Sequence, residues 1–88
     1  MVKVIVFHYT DDGRLPKLSK NELNEIMKNI YHELKNYPDV KFNGTYVDNE
    51  GKGICDWDAP NVEVVNEILN KVLGGPPVDG AIEVKRVL

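Results

Sequence analysis

The sequence predicts an α+β fold, with elements in the order strand, helix, strand, strand, helix, strand. Three observations carry the prediction. Short runs rich in β-branched and aromatic residues lie near both ends and in the middle of the chain. Two longer stretches place apolar residues at helical spacing. Clusters of Gly, Pro, Asn and Asp separate the runs.

The first strand, Val2-Lys3-Val4-Ile5-Val6-Phe7-His8-Tyr9, is apolar on both faces. Side chains alternate along a strand, so Val2, Val4 and Val6 point one way while Ile5 and Phe7 point the other. Such a strand needs cover above and below. The segment Asp11-Asp12-Gly13-Arg14-Leu15-Pro16 is turn material. Ser19-Lys20-Asn21-Glu22 matches a capping box and opens a helix. Leu23, Ile26, Met27, Ile30, Leu34 and Tyr37 form its apolar stripe, with His32 on the opposite side and Asn36 and Pro38 at the exit.

Val40 to Asp48 reads as the second strand, with Val40, Phe42 and Tyr46 on one side and Lys41, Asn43, Thr45 and Val47 on the other. Asn49-Glu50-Gly51 makes a hairpin turn into the third strand, Gly53-Ile54-Cys55-Asp56-Trp57. Asp58 or Asn61 caps the second helix, whose apolar face is Val62, Val65, Ile68, Leu69, Val72 and Leu73. Gly74 suits a left-handed C-terminal cap, and Pro76-Pro77 stops the helix. Ala81 to Val87 is the fourth strand, with Ile82 and Val84 opposed to Glu83 and Lys85.

This order is the split βαβ, ferredoxin-like arrangement. Its usual form is a four-stranded antiparallel sheet with strands one and three in the centre and both helices on one face. Residues 1–88 form one such domain. The face without helices needs a second copy of the chain, which gives a homodimer closed as a dimeric α/β barrel, because an open face would exceed the apolar patch a monomer tolerates.

Composition excludes several classes. Hydrophobic residues make up 42% and charged residues 28%, so the chain is neither disordered nor membrane-spanning. Basic residues are scattered over a net charge of −3, which leaves no footprint for nucleic acid. Lys3 and His8 interrupt the apolar start, so no signal peptide is expected. The lone Cys55 forms no intrachain disulfide and fits a cytoplasmic setting.

The chemistry-bearing candidates are few. His8 and Cys55 lie on strands expected to be neighbours, and each side chain can ligate a transition metal such as nickel or zinc. Register parity decides their contact: with one parity His8 shares a face with Cys55 and Trp57, with the other it shares a face with Ile54 and Asp56. His8 with Cys55, or His8 with Asp56, is thus the candidate metal pair, and a two-fold axis would double it. Phe42, Tyr46 and Trp57 are candidates to line a small-ligand pocket between the sheet and its cover. A buried mid-strand cysteine and plain aromatic packing are the alternatives to these roles. Asp11-Asp12-Gly13 lacks the further oxygens of a cation loop, and Gly74-Gly75-Pro76-Pro77 follows a helix instead of opening one, so neither reads as an ion or phosphate site.

Thr45-Tyr46-Val47, Cys55-x-Trp57-x-Ala59-Pro60 and Glu83-Val84-x-Arg86-Val87, with the element order, resemble a family of small bacterial and archaeal domains of unknown function. Some of its members are described as nickel-binding. The resemblance implies a ferredoxin-like homodimer with Tyr46, Cys55 and the Ala59-Pro60 helix entrance at matching positions. Where that family often carries a histidine, two residues before the tyrosine, this chain has Gly44. The wider dimeric α/β-barrel superfamily also holds cofactor-independent mono-oxygenases, isomerases and ligand-sensing domains. The functional expectation is therefore a homodimer binding a transition metal or small ligand at the intersubunit barrel. The alternatives are a small mono-oxygenase- or isomerase-like enzyme and a structural or regulatory dimer.

Overall fold

The structure is a computed structural model that describes residues 1–12 and 18–88. The Gly13 to Pro16 part of the predicted turn lies outside the described residues. Strand β1 (Val2–His8) leads to helix α1 (Lys20–Leu34), the hairpin β2 (Lys41–Val47) and β3 (Gly53–Ala59), helix α2 (Val62–Leu73) and strand β4 (Ala81–Val84). The strands form one antiparallel sheet in the order β2-β3-β1-β4. This is the ferredoxin-like fold, with β1 and β3 central as the sequence predicts.

Both helices start as their residues dictate. The Ser19 hydroxyl accepts from the Glu22 amide at 3.1 Å, and the Glu22 carboxylate accepts from the Ser19 amide at 3.1 Å, completing the capping box. Asn61 caps α2 by accepting from the Val64 amide at 2.9 Å. Asp58, the other candidate cap, instead remains in β3, which runs two residues further than the sequence suggested. Gly74 ends α2 at φ 79°, a left-handed geometry that costs glycine nothing. Strand β4 stops at Val84 because its ladder to β1 covers only Lys3 to Val6.

The register sorts every side chain to a face. Val4 pairs with Trp57 and Val6 with Cys55, and these four are buried with Ile30, Val65, Ile68 and Leu69 beneath the helices. Ile5, Phe7, Ile54 and Val84 emerge on the opposite face, partly exposed, beside the exposed Tyr46 and Ile82. The two halves of β1's apolar alternation thus reach the helix layer and the uncovered face respectively.

One strand departs from simple alternation. A β-bulge lies between Phe42 and Gly44, where the register shifts against β3, and Gly44 has φ 127°. Phe42 still pairs with Trp57 on the helix side. Beyond the bulge Thr45 pairs with Cys55 on the helix side, and Tyr46 pairs with Ile54 on the open side. The period of two read from the sequence puts Phe42 and Tyr46 together; the extra residue separates them.

Helix α1 buries less of its stripe than its periodicity predicts. Only Ile30 is fully buried, while Leu23 and Met27 each stay 40% exposed. The helix therefore roofs the sheet without filling the space beneath it.

Candidate functional site

Beneath α1 lies a cavity of about 320 Å³. Its roof is Leu23, Ile26, Met27 and Ile30 from α1, its floor is Phe42, Thr45, Val47, Cys55 and Trp57 from the β2–β3 hairpin, and Leu69 and Leu73 of α2 close one side. His8, at the end of β1, completes the lining. No Asp, Glu, Lys or Arg contributes among the described residues.

The polar groups converge on one sulfur. Thr45 is the direct cross-strand partner of Cys55, and its Oγ1 lies 2.9 Å from the Cys55 Sγ. His8 is a diagonal neighbour of Cys55 on the same face, and its Nε2 lies 2.8 Å from that sulfur. The register thus has the parity that joins His8 to Cys55 and Trp57. Burial pushes the Cys55 thiol up to about 11, against a smaller opposing effect of the Thr45 hydrogen bond. At neutral pH the group is a protonated thiol inside a hydrogen-bonded triad.

That shift has a measurable consequence. The folded state keeps a proton that the unfolded state releases above its ordinary value of 9.0. The resulting stabilisation is complete below pH 9 and is lost as pH rises to about 11, by about 2–3 kcal/mol in total. Urea denaturation across that range should show wild type losing this stability relative to Cys55→Ser, which keeps a hydrogen-bonding group but does not titrate there. Parallel curves for the two proteins would contradict it.

Asp56 lies on the other face of the sheet. Its Oδ1 accepts from Lys3 Nζ at 2.7 Å and from Asn43 Nδ2 at 3.2 Å. Asn43 also donates to Asp58 at 3.0 Å, and this bond is the main reason the Asp58 carboxyl titrates below its usual range. Asp56 therefore belongs to an ion-pair cluster on the uncovered face, apart from His8. Tyr46 is 60% exposed on that face, its hydroxyl donating to the Asn43 carbonyl at 3.3 Å. Of the three candidate pocket aromatics, Phe42 and Trp57 line the cavity together, their ring centroids 4.7 Å apart.

The donor set also bears on a metal. No group of three or more His, Cys, Asp or Glu side chains converges among the described residues. A tetrahedral ion would hold an imidazole nitrogen and a thiolate sulfur about 3.5 Å apart, whereas this pair sits at hydrogen-bond distance with the thiol protonated. The pair faces the helices, so a second copy packed on the open sheet face would not bring two such pairs together. As described, these donors do not complete a metal site.

Sequence reasoning missed Thr45 as a partner of the thiol and α1 as the roof. The glycine inside the second strand was the available signal, since an interior glycine often marks a bulge. Asp79 was also missed. Its carboxylate accepts from the Tyr9 amide at 2.6 Å, the Thr10 amide at 3.0 Å and the Thr10 hydroxyl at 2.7 Å. These bonds, the hydroxyl's foremost, depress its titration below the ordinary 3.8. The anchor fixes the chain leaving β1 directly after His8. It is intact above the usual carboxylate range and is released as acid protonates the group. Replacing Asp79 by Ala should speed amide hydrogen exchange at Tyr9 and Thr10 at neutral pH and leave Val4 and Val6 protected. Unchanged protection at Thr10 would show that the anchor is dispensable.

A second cavity, of about 540 Å³, adjoins the first; His8, Ile26, Leu69 and Leu73 line both. Asp11, Asp12 and the Gly74-Gly75-Pro76-Pro77 turn border it.

No protein-family model matches the chain, and no curated protein matches it. Among solved structures it is similar to SCO4226 from Streptomyces coelicolor A3(2), with a TM-score of 0.71 at 16% identity. The match covers 98% of this chain and 99% of that one. At that identity the likeness shows the fold alone. No helix of the described residues is long and apolar enough to cross a membrane.

Proposed function

We propose that this chain is a small-molecule-binding domain whose site is the cavity between α1 and the sheet. The observation that carries the reading is the cavity's make-up: about 320 Å³ of mostly apolar wall around one cluster of hydrogen-bonding groups at His8, Thr45 and Cys55. That is the form small-ligand sites take, at the lower end of their usual size. The site lies within one chain, beneath its own helix, not in the shared barrel that the sequence suggested. Saturable one-to-one binding of the neutral dye N-phenyl-1-naphthylamine is the expected result. It should be lost in Leu23→Phe/Met27→Phe, which fills the roof from partly exposed positions. A dye that shows no saturable uptake, or binds the filled variant equally, would refute the reading.

The same proposal includes a homodimer formed through the uncovered sheet face. Ile5, Phe7, Tyr46, Ile54, Ile82 and Val84 gather there around the Lys3–Asp56–Asp58 cluster. Half-exposed apolar side chains grouped around paired charges are a surface that subunit contact covers. Sedimentation showing only single subunits at high concentration would remove it.

The placement of His8 and Cys55 side by side on one face of the sheet favours a second reading, a nickel or zinc ion that parts the hydrogen-bonded pair and takes further ligands from solvent. Ligation needs the thiolate, so uptake would release a proton and weaken as pH falls. Calorimetric titration with nickel, zinc and cobalt that finds no saturable binding rules it out.

A further inference from the structure

The lining of the cavity also specifies what it takes, if it is a ligand site as proposed above. We infer that the ligand is an uncharged molecule of about two fused rings bearing one hydrogen-bonding oxygen.

Charge comes first. With no Asp, Glu, Lys or Arg among the described lining residues, an ionised ligand would enter surroundings in which these residues supply no fixed counter-charge. The thiol stays protonated and the imidazole nitrogen facing it is already engaged. Size comes next. A dry apolar cavity of about 150 Å³ accepts benzene, and the volume here, about 320 Å³, is roughly twice that. Shape follows from the walls. Phe42 and Trp57 form a tilted aromatic pair on the floor, and Met27 on the roof is a flexible thioether suited to a flat ring. The single oxygen answers to the polar cluster among the described lining residues, where the Thr45 Oγ1 lies 2.9 Å from the Cys55 Sγ and its hydroxyl can bond a ligand oxygen as well. Trp57 supplies a reporter on the cavity floor. Its ring borders the cavity, and its indole N–H is buried behind it without an acceptor among the described residues.

Calorimetry with four probes tests the assignment: 1-naphthol, naphthalene, 1-naphthoate and decanoate. The single tryptophan gives a second readout, because the one indole N–H resonance belongs to Trp57. We expect 1-naphthol to bind at least ten-fold more tightly than 1-naphthoate or decanoate and to shift that resonance. Thr45→Val should reduce 1-naphthol to the affinity of naphthalene. If the neutral dye binds but 1-naphthoate or decanoate equals 1-naphthol, the cavity reading stands and the ligand class falls. The ligand class falls likewise if Thr45→Val leaves the affinities unchanged. If neither the dye nor any probe binds, both fall.

Discussion

Replacing Trp57 by Ala should cost about 3–5 kcal/mol, the largest loss expected of any single core truncation here. Trp57 is fully buried and is the largest of the fully buried side chains. It pairs with Val4 across the centre of the sheet and with Phe42 at the edge, so its ring joins three strands. A small domain has a total stability of about 5–15 kcal/mol, so the variant should sit close to its unfolding threshold. Urea denaturation followed by circular dichroism gives the number. Trp57→Phe should behave differently. It keeps an aromatic ring in the pair and removes a buried N–H that has no partner among the described residues, so two opposing effects of similar size leave it within about 1 kcal/mol of wild type. A loss as large as that of Trp57→Ala would mean that the indole N–H has an acceptor after all.

Gly53→Ala should be nearly as damaging, for a reason of backbone, not burial. A Cβ at Gly53 would overlap the Tyr46 carbonyl oxygen, with the Tyr46 carbonyl carbon and the Val47 Cα each 2.8 Å away. All three are main-chain atoms held by the ladder, so no side chain can swing aside. Gly53 pairs with Val47 in one direction and His8 in the other, and the hairpin closes next to it through the Asp48 amide and the Lys52 carbonyl at 2.9 Å. The methyl group must therefore pry β2 from β3 where Thr45, Cys55 and His8 meet. A loss of about 3 kcal/mol, at the upper end for overpacking, is expected, with weakened dye binding. Thermal melting of the variant and a dye titration on its folded fraction measure both. Wild-type behaviour in each would show that the hairpin has more slack than its geometry suggests.

The need for glycine at residue 53 was not legible in the sequence, and the reason is general. Periodicity reports which way a side chain points, not how closely two backbones approach. The element order, the capping box at Ser19 and the end of α2 at Gly74 were legible because each depends on residues adjacent in the chain. The placement of Phe42 and Tyr46 was not, because the bulge at Gly44 resets the parity of every residue after it. Likewise the His8–Cys55 contact depended on a register that hydrophobic pattern could not fix, since β1 is apolar on both faces. That double pattern was informative about layers and uninformative about pairing. The residues of the candidate site were thus named with two possible groupings, and only the sheet register separates them.

The order of the strands in the sheet also bears on how the protein is made. β1 precedes the other elements described here, yet it lies between β3 and β4 in the sheet. One of its edges waits for β3, about fifty residues on, and the other for β4, about eighty residues on. Contacts so distant in sequence form slowly, and an unpaired strand edge invites other chains. A copy in which β4 has not yet docked therefore presents the free edge of its central strand to its neighbours, and docking of β4 is the step that protects it.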